Sequence, residues 1–326
     1  MAKRRRPKRS AAKKIKFSFS DIPLYLLVLL LLSGVLLSFL DYYGVLTYTQ
    51  ITQFLGLSDK AVVAIDDAKL SVHSIDVGQG DSTLIVAGST TVLIDAGEAD
   101  EARSVIEYLN KYGIKRIDYV IATHPHSDHI GGIPDVMYAV PVGKIIMPRL
   151  PDELVPVTSS YNNLLRAISK NGLRATRAVP GDVYPLGADA YLEIIAPVRE
   201  DYEEINNYSV VCRITCGEVS FLFMGDAEKA VENDIIESGA DISADFLKVG
   251  HHGSTTSPRQ PLLDAVRPEY AVIYCGSDNT YNHPAEKTLF RLRDNGIKIY
   301  RTDSQGNIIF KTDGISISAE VEHAGD

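Results

Sequence analysis

Cysteine is scarce, with only Cys212, Cys216 and Cys275 in 326 residues. That excludes a disulfide framework, and their spacing fits neither a redox pair nor a zinc finger, so all three are expected to pack in the core. Positive charge is outnumbered in the body of the chain, 24 Lys/Arg against 42 Asp/Glu after residue 16. The whole carries −9, and residues 1–16 hold nine Lys/Arg and no acid, which leaves −18 for the remainder. A body that acidic is not a general polyanion binder, so contact with nucleic acid would need a local basic track or a metal. Internal repeats are absent, and low complexity is confined to the basic tail, which excludes solenoids and disordered arrays. Long apolar runs are missing except for one, which excludes a polytopic membrane protein. What remains is a globular composition, 45% hydrophobic and 23% charged, long enough to bury a substantial core.

The single apolar run covers residues 22–40, Ile22 to Leu40, without a charge. At about 1.5 Å per residue it would span roughly 28 Å, a bilayer's hydrocarbon thickness. Bulky residues follow it where a signal peptidase would cut, so it reads as a retained anchor rather than a cleaved signal or a core helix. The nine cations in front place the tail, residues 1–21, in the cytoplasm beside anionic lipids. The protein is thus expected to be a single-pass membrane protein with an extracytoplasmic catalytic domain. Residues 41–67 are a juxtamembrane linker, and 68–322 one α/β domain in which strand-like runs alternate with amphipathic helices. Predicted strands include 70–77, 82–88, 90–97 and 116–123; predicted helices lie near 159–171, 227–238, 260–266 and 284–295.

Chemistry is concentrated where the 116–123 strand ends, in His124-Pro-His126-Ser-Asp128-His129. Two imidazoles two residues apart can reach one metal, and Asp128 with His129 a second. Such nitrogen and oxygen donors suit Zn, Fe or Mn. Asp226 ends the apolar strand EVSFLFMG, where a carboxylate could bridge two ions or cap the next helix. His251 and His252 follow the strand DFLKVG. Adjacent residues point apart, so one can ligate while the other donates a proton or touches substrate. The sequence does not separate them, and His251 is preferred as ligand because it comes first. Asp128 would also orient the attacking water. His252 or His283 would protonate the leaving group, and Lys248 would steady a phosphate oxygen, although a surface lysine is an equal reading. Asp95 is expected to hold a ligand or the loop backbone from behind. Asp81 could face the site and Asp76 reads as structural; the VGQG turn between them lacks the Lys and helix of a phosphate loop. The acidic stretch 199–204 reads as a solvated loop, with a place at the site mouth as its alternative.

The set Asp95-Ala-Gly, Thr123-His-Pro-His-Ser-Asp-His-Ile-Gly-Gly, Gly225-Asp226 and His251 resembles the metallo-β-lactamase fold. Asp76-Val-Gly-Gln-Gly-Asp81, Asn206-Asn-Tyr-Ser209, Leu247-Lys-Val-Gly-His-His-Gly-Ser254 and Asn282-His-Pro284 resemble one branch of it. That branch is the lactamase-like domain of competence (DNA-uptake) proteins of the ComEC type and related surface phosphodiesterases. The resemblance covers about 68–312. It implies a four-layer αββα sandwich with the site along the edge between its sheets, and a metal-activated hydroxide attacking an ester or phosphodiester. The wider superfamily has a His between the first cluster and the bridging Asp. This chain has none between His129 and His251, which leaves the His124/His126 site one ligand short and admits one or two ions, zinc first and manganese as its competitor. The implied substrate is a phosphodiester, of nucleic acid or of an envelope polymer; no protein partner is legible. A thioester, lactam or lactone hydrolase, and a non-catalytic binding module, are the competing classes. The single anchor forms no pore, so DNA uptake does not transfer with the resemblance.

Overall fold

Alternation along the strands decides where the cores lie. On the strand Val219–Phe223, Phe221 and Phe223 face one apolar cluster and Leu222 faces another, as a period of two requires. The computed structural model describes residues 68–324. The basic tail (1–21), the predicted span (22–40) and the linker (41–67) lie outside the described residues. Among the described residues, no helix is long and apolar enough to cross a membrane.

The chain first lays down β1 (Leu70–Ser74), β2 (Thr83–Ala87), β3 (Thr90–Ile94), β4 (Ile117–Ile121), β5 (Val142–Met147) and β6 (Ala175–Arg177). A second series follows: β7 (Val183–Gly187), β8 (Ala190–Ala196), β9 (Val211–Cys216), β10 (Val219–Phe223), β11 (Phe246–Lys248), β12 (Tyr270–Ile273) and β13 (Lys298–Arg301). The last strands, β14 (Ile308–Thr312) and β15 (Ile317–Val321), return to the first sheet. The two sheets run β15-β14-β1-β2-β3-β4-β5-β6 and β13-β12-β11-β10-β9-β8-β7. Both are mixed: β1–β2–β3 pair antiparallel and β3–β4–β5–β6 parallel, while β10–β11–β12–β13 are parallel. Parallel neighbours need crossovers, and these are the helices.

The helices are α1 (Ala102–Lys111), α2 (Ser127–Ile130), α3 (Ile133–Ala139), α4 (Ser159–Lys170), α5 (Lys229–Ser238), α6 (Gln260–Val266), α7 (Glu286–Asp294) and α8 (Thr302–Gln305). One core lies between the sheets, with Val72, Ile85, Ile194, Phe221, Phe246 and Phe310 buried in it. A second joins the first sheet's outer face to α1, α3 and α4 through Val120, Ile145, Leu109, Val136 and Leu164. A third joins the second sheet to α5, α6 and α7 through Leu222, Leu247, Ile235, Leu262 and Leu289. Two sheets with helices on both outer faces fit the expected sandwich. The three cysteines are free and buried as expected, Cys212 and Cys216 between the sheets and Cys275 under the helices. β1 stops three residues short of the predicted run. Residues 75–81 instead turn across the sheet's end, and Asp81 donates its backbone N–H to the Asp128 carbonyl at 3.1 Å.

Candidate metal centre

Every chemistry-bearing side chain hangs from a strand's C-terminal end. β4 runs into Thr123 and His124, and the single turn of α2 carries Asp128 and His129. The loop after β3 clamps it: the Ala96 N–H donates to the His129 carbonyl at 2.8 Å and the Gly132 N–H to the Gly97 carbonyl at 2.9 Å. This contact explains two glycines. A Cβ on Gly132 would stand 2.2 Å from the Ala96 oxygen, and one on Gly80 2.4 Å from the Asp128 oxygen. From the second sheet, β10 ends at Gly225-Asp226, where the Asp226 N–H donates to the Ser209 hydroxyl at 3.0 Å. β11 leads to a tight turn, Gly250–Gly253, in which His251 and His252 both adopt left-handed backbone (φ 49° and 50°). Two such residues in succession cost on the order of 1–2 kcal/mol each. The turn sends the two imidazoles different ways.

His252 goes inward. Its Nε2 lies 3.2 Å from Asp128 Oδ2 and 3.4 Å from Asp226 Oδ2; His129 Nε2 lies 3.8 Å and 3.3 Å from the same two oxygens. Donors held tetrahedrally at about 2.0–2.2 Å from one ion stand roughly 3.3–3.6 Å apart, close to these four nitrogen–oxygen separations. His129 Nε2 and His252 Nε2, which face these oxygens, are buried without a hydrogen-bond partner, as is Asp226 Oδ1. Orphaned polar atoms converging in one place are what an ion would satisfy. Beside them, His124 Nε2 sits 3.0 Å from His126 Nδ1 and 3.9 Å from Asp226 Oδ2, a second and smaller donor set that shares Asp226.

The far side of each ring is held by protein. Asp95 Oδ2 takes His129 Nδ1 at 2.9 Å and the Thr123 hydroxyl at 2.6 Å, with the Thr123 N–H on its other oxygen at 2.8 Å. His252 Nδ1 meets the Tyr274 carbonyl at 3.1 Å and Asp81 Oδ1 at 3.4 Å. Such backing fixes which nitrogen of each ring points at an ion. Burial lowers the readiness of His129 and His252 to carry charge, but the carboxylates of Asp226, Asp81 and Asp128 outweigh it and hold both rings well above the ordinary imidazole range. Burial alone would raise Asp226; the charges of His252 and His129 take it well below the carboxylate range. Burial pushes His124 the other way, well below its usual value, with the charge of His129 adding to it.

His124, His126, Asp128, His129 and Asp226 are therefore brought together as the sequence suggested. His251 and Lys248 are not. His251 was the preferred ligand, but it faces the rim, with Nδ1 2.9 Å from Glu228 Oε1 and 3.2 Å from the Thr256 hydroxyl; His252, the expected proton donor, stands among the ligands instead. The reason is the left-handed turn, which no residue pattern announces. Lys248 was assigned to a phosphate oxygen, yet it is 2% exposed, ion-paired with Asp81 and donates to the Gly225 carbonyl at 2.8 Å. It neutralises the buried acids from below. His283 does border the site, its ring stacked 6.3 Å from that of His252, and burial together with His251 lowers it to about 4. Asp81 is a full member of the cluster, and Asp76 caps the turn by accepting from the Gly78 N–H at 3.0 Å.

A cleft of about 670 Å³ opens over these donors, lined by Gln79, Ser127, Thr158, Asn206, Tyr281, His283, His251 and His252. Its lining contains no Lys or Arg. The acidic stretch 199–204 does not border it either, since only Ile205 and Asn206 reach the wall.

Comparison with known proteins agrees with this geometry. The sequence profile of the metallo-beta-lactamase superfamily matches residues 75–277. ComE operon protein 3 of Bacillus subtilis is 31% identical over 258 residues, 74% of this chain and 33% of that protein. Competence protein ComA of Neisseria gonorrhoeae is 30% identical over 297 residues, 90% of this chain and 40% of that one. Recombination protein 2 of Haemophilus influenzae is 30% identical over 242 residues, 73% and 28% respectively. The chain spans between 28% and 40% of the length of these relatives. It belongs to the metallo-β-lactamase superfamily and carries a lactamase-like domain of the ComEC type.

Proposed function

We propose that this metallo-β-lactamase-superfamily chain is a metal-dependent phosphodiesterase, held at the cell membrane by residues 22–40 with its catalytic domain outside and its basic tail against anionic lipid. The observation that carries the metal reading is the convergence of buried, partnerless His129 Nε2 and His252 Nε2 on Asp226 Oδ2, at 3.3 Å and 3.4 Å. Asp128, His129, Asp226 and His252 would hold one divalent ion, and His124, His126 and Asp226 a second. The second set has three protein donors, in keeping with the absence of any His between 129 and 251, so zinc and manganese both fit. A divalent ion there would supply an acidified water and compensate the charge that builds on the oxygens of the phosphorus under attack.

The chain's own residues do the remaining work. Asp95 and Asp81 keep the imidazoles in register, and buried Lys248 offsets the acids so that the donor set stays together. Glu228 and Thr256 occupy His251 Nδ1, which leaves Nε2 as the nitrogen His251 can offer to a leaving oxygen in the cleft. Asn206 steadies that carboxylate by donating Nδ2–H at 3.3 Å, and the Glu228 N–H donates to Asn207 Oδ1 at 3.2 Å. Hence the Asn-Asn pair supports the proton-handling side of the cleft, with Ser209 bracing Asp226 and His124.

The test is turnover of bis(p-nitrophenyl) phosphate by the full chain in detergent, loaded with Zn or Mn, beside Asp226→Ala. Metal-dependent hydrolysis lost at least a thousandfold in the variant is expected, in line with removing a principal charge-stabilising group. Bound metal with no turnover would redirect the search to thioesters and lactams. A chain that binds no metal would make this a binding module.

A further inference from the structure

The cleft that contains no cation does contain a stack of rings. His252, His283 and Tyr281 follow one another as near-parallel, offset rings, with centroids 6.3 Å and 5.8 Å apart and planes 22° and 24° from parallel. The series begins at a ring among the metal donors and ends at Tyr281, which is 68% exposed. A ring parallel to its neighbour and this exposed leaves surface on which a further ring can stack. The loop that carries it is braced: Asn279 Nδ2 donates to the Gly276 carbonyl at 2.8 Å and to the His283 carbonyl at 2.6 Å, while Asn279 Oδ1 accepts from the His283 N–H at 2.9 Å. Tyr281 is thus presented on a fixed support rather than on a loose tip. Across the cleft the wall is neutral, made of Ser127, Thr158, Ser159 and Asn206. A substrate's flanking group therefore meets no guanidinium or ammonium there, and a planar apolar group gains most from the exposed ring face.

We propose that Tyr281 is a substrate-positioning residue: it stacks against a planar ring, of nucleobase type, attached directly beside the phosphodiester that reacts, and so selects base-bearing esters over simple alkyl ones. The inference rests on the phosphodiesterase reading of the same site. His283 is the spacer between Tyr281 and the donor set.

Two esters with the same leaving group test it on the full metal-loaded chain: thymidine 5′-(p-nitrophenyl phosphate) and methyl p-nitrophenyl phosphate. The native protein is expected to favour the thymidine ester about tenfold or more in kcat/KM, the size of one base stacked on one aromatic ring. Tyr281→Ala should bring that ratio close to one, through KM rather than kcat, and Tyr281→Phe should keep it. No native preference, or a Tyr281→Ala loss shared equally by both esters, would overturn the proposal. If neither ester is cleaved although metal is bound, the phosphodiesterase reading fails by itself. Stacking is then read from binding of the fluorescent nucleotide 1,N6-ethenoadenosine monophosphate. About tenfold weaker binding in Tyr281→Ala with native binding in Tyr281→Phe upholds the platform, and equal binding by all three chains removes it.

Discussion

Two neighbouring histidines divide the labour of the site, and the division can be measured one side chain at a time. His252 is 2% exposed with Nε2 between two carboxylates, whereas His251 lies at the rim on Glu228. Replacing His252 by Ala removes a donor from a four-atom shell. Metal affinity should fall by more than the roughly 10–100-fold expected for losing an outer hydrogen-bond partner. Asp95→Asn, which weakens the grip on His129 Nδ1 without touching a donor, should fall inside that window. His251→Ala should hold metal within about threefold of native while losing turnover. Competition with a chromogenic chelator gives all three numbers, and equal metal loss in the two His variants would reverse the assignment. Residue identity alone could not have settled this pair. The swap depends on a left-handed turn bracketed by Gly250 and Gly253, where an added Cβ would stand 2.9 Å from the Ala227 oxygen or 2.8 Å from Pro284. Lys248 was equally unreadable, since its partner Asp81 comes from the other sheet.

At the level of elements, α5 is tied to the segment entering α6 through a buried acid. Glu232 is 1% exposed, and both its oxygens accept from the Arg259 N–H at 3.2 Å. Burial raises it to about 7 from an ordinary 4.5, against the opposing pull of the Arg259 N–H and charge. Since the folded state binds this proton more tightly than the unfolded chain, stability from this group is fullest below about pH 4.5 and is lost as pH rises to about 7. The swing is about 1–3 kcal/mol. Glu232→Gln should abolish it, so that the variant gains on the native protein between pH 5 and pH 8 in urea denaturation; a pH-independent difference would show that the acid is not the source. The same scale shows what was readable beforehand. The apolar run EVSFLFMG is bounded by charge and ends at Asp226, so β10 and this candidate ligand were found together. β6, three residues with no buried side chain, and β15 at the sheet's rim bury too little to leave a period. α2 is a single turn whose shape comes from the β3 loop beside it, and it could be read only as a loop.

Taken whole, the molecule places one donor set across the ends of two sheets, Asp128 and His129 from the first and Asp226 and His252 from the second. An ion held there binds the folded chain and not the unfolded one. At a hundredfold excess over its dissociation constant it should add about 2.7 kcal/mol, which for a domain of this size is roughly 5–10 °C in Tm. Thermal scans of the full chain with and without Zn or Mn check this, and Asp226→Ala should lose most of the shift. A second consequence comes from the sheet order. β1 pairs on one side with β2, its neighbour in sequence, and on the other with β14. During synthesis on the ribosome, the early strands therefore wait with one edge of β1 open until the strand beginning at Ile308 has emerged. Such an edge is a template for another nascent copy. The last strands close the first sheet, and the yield of folded protein should depend on how quickly translation reaches them.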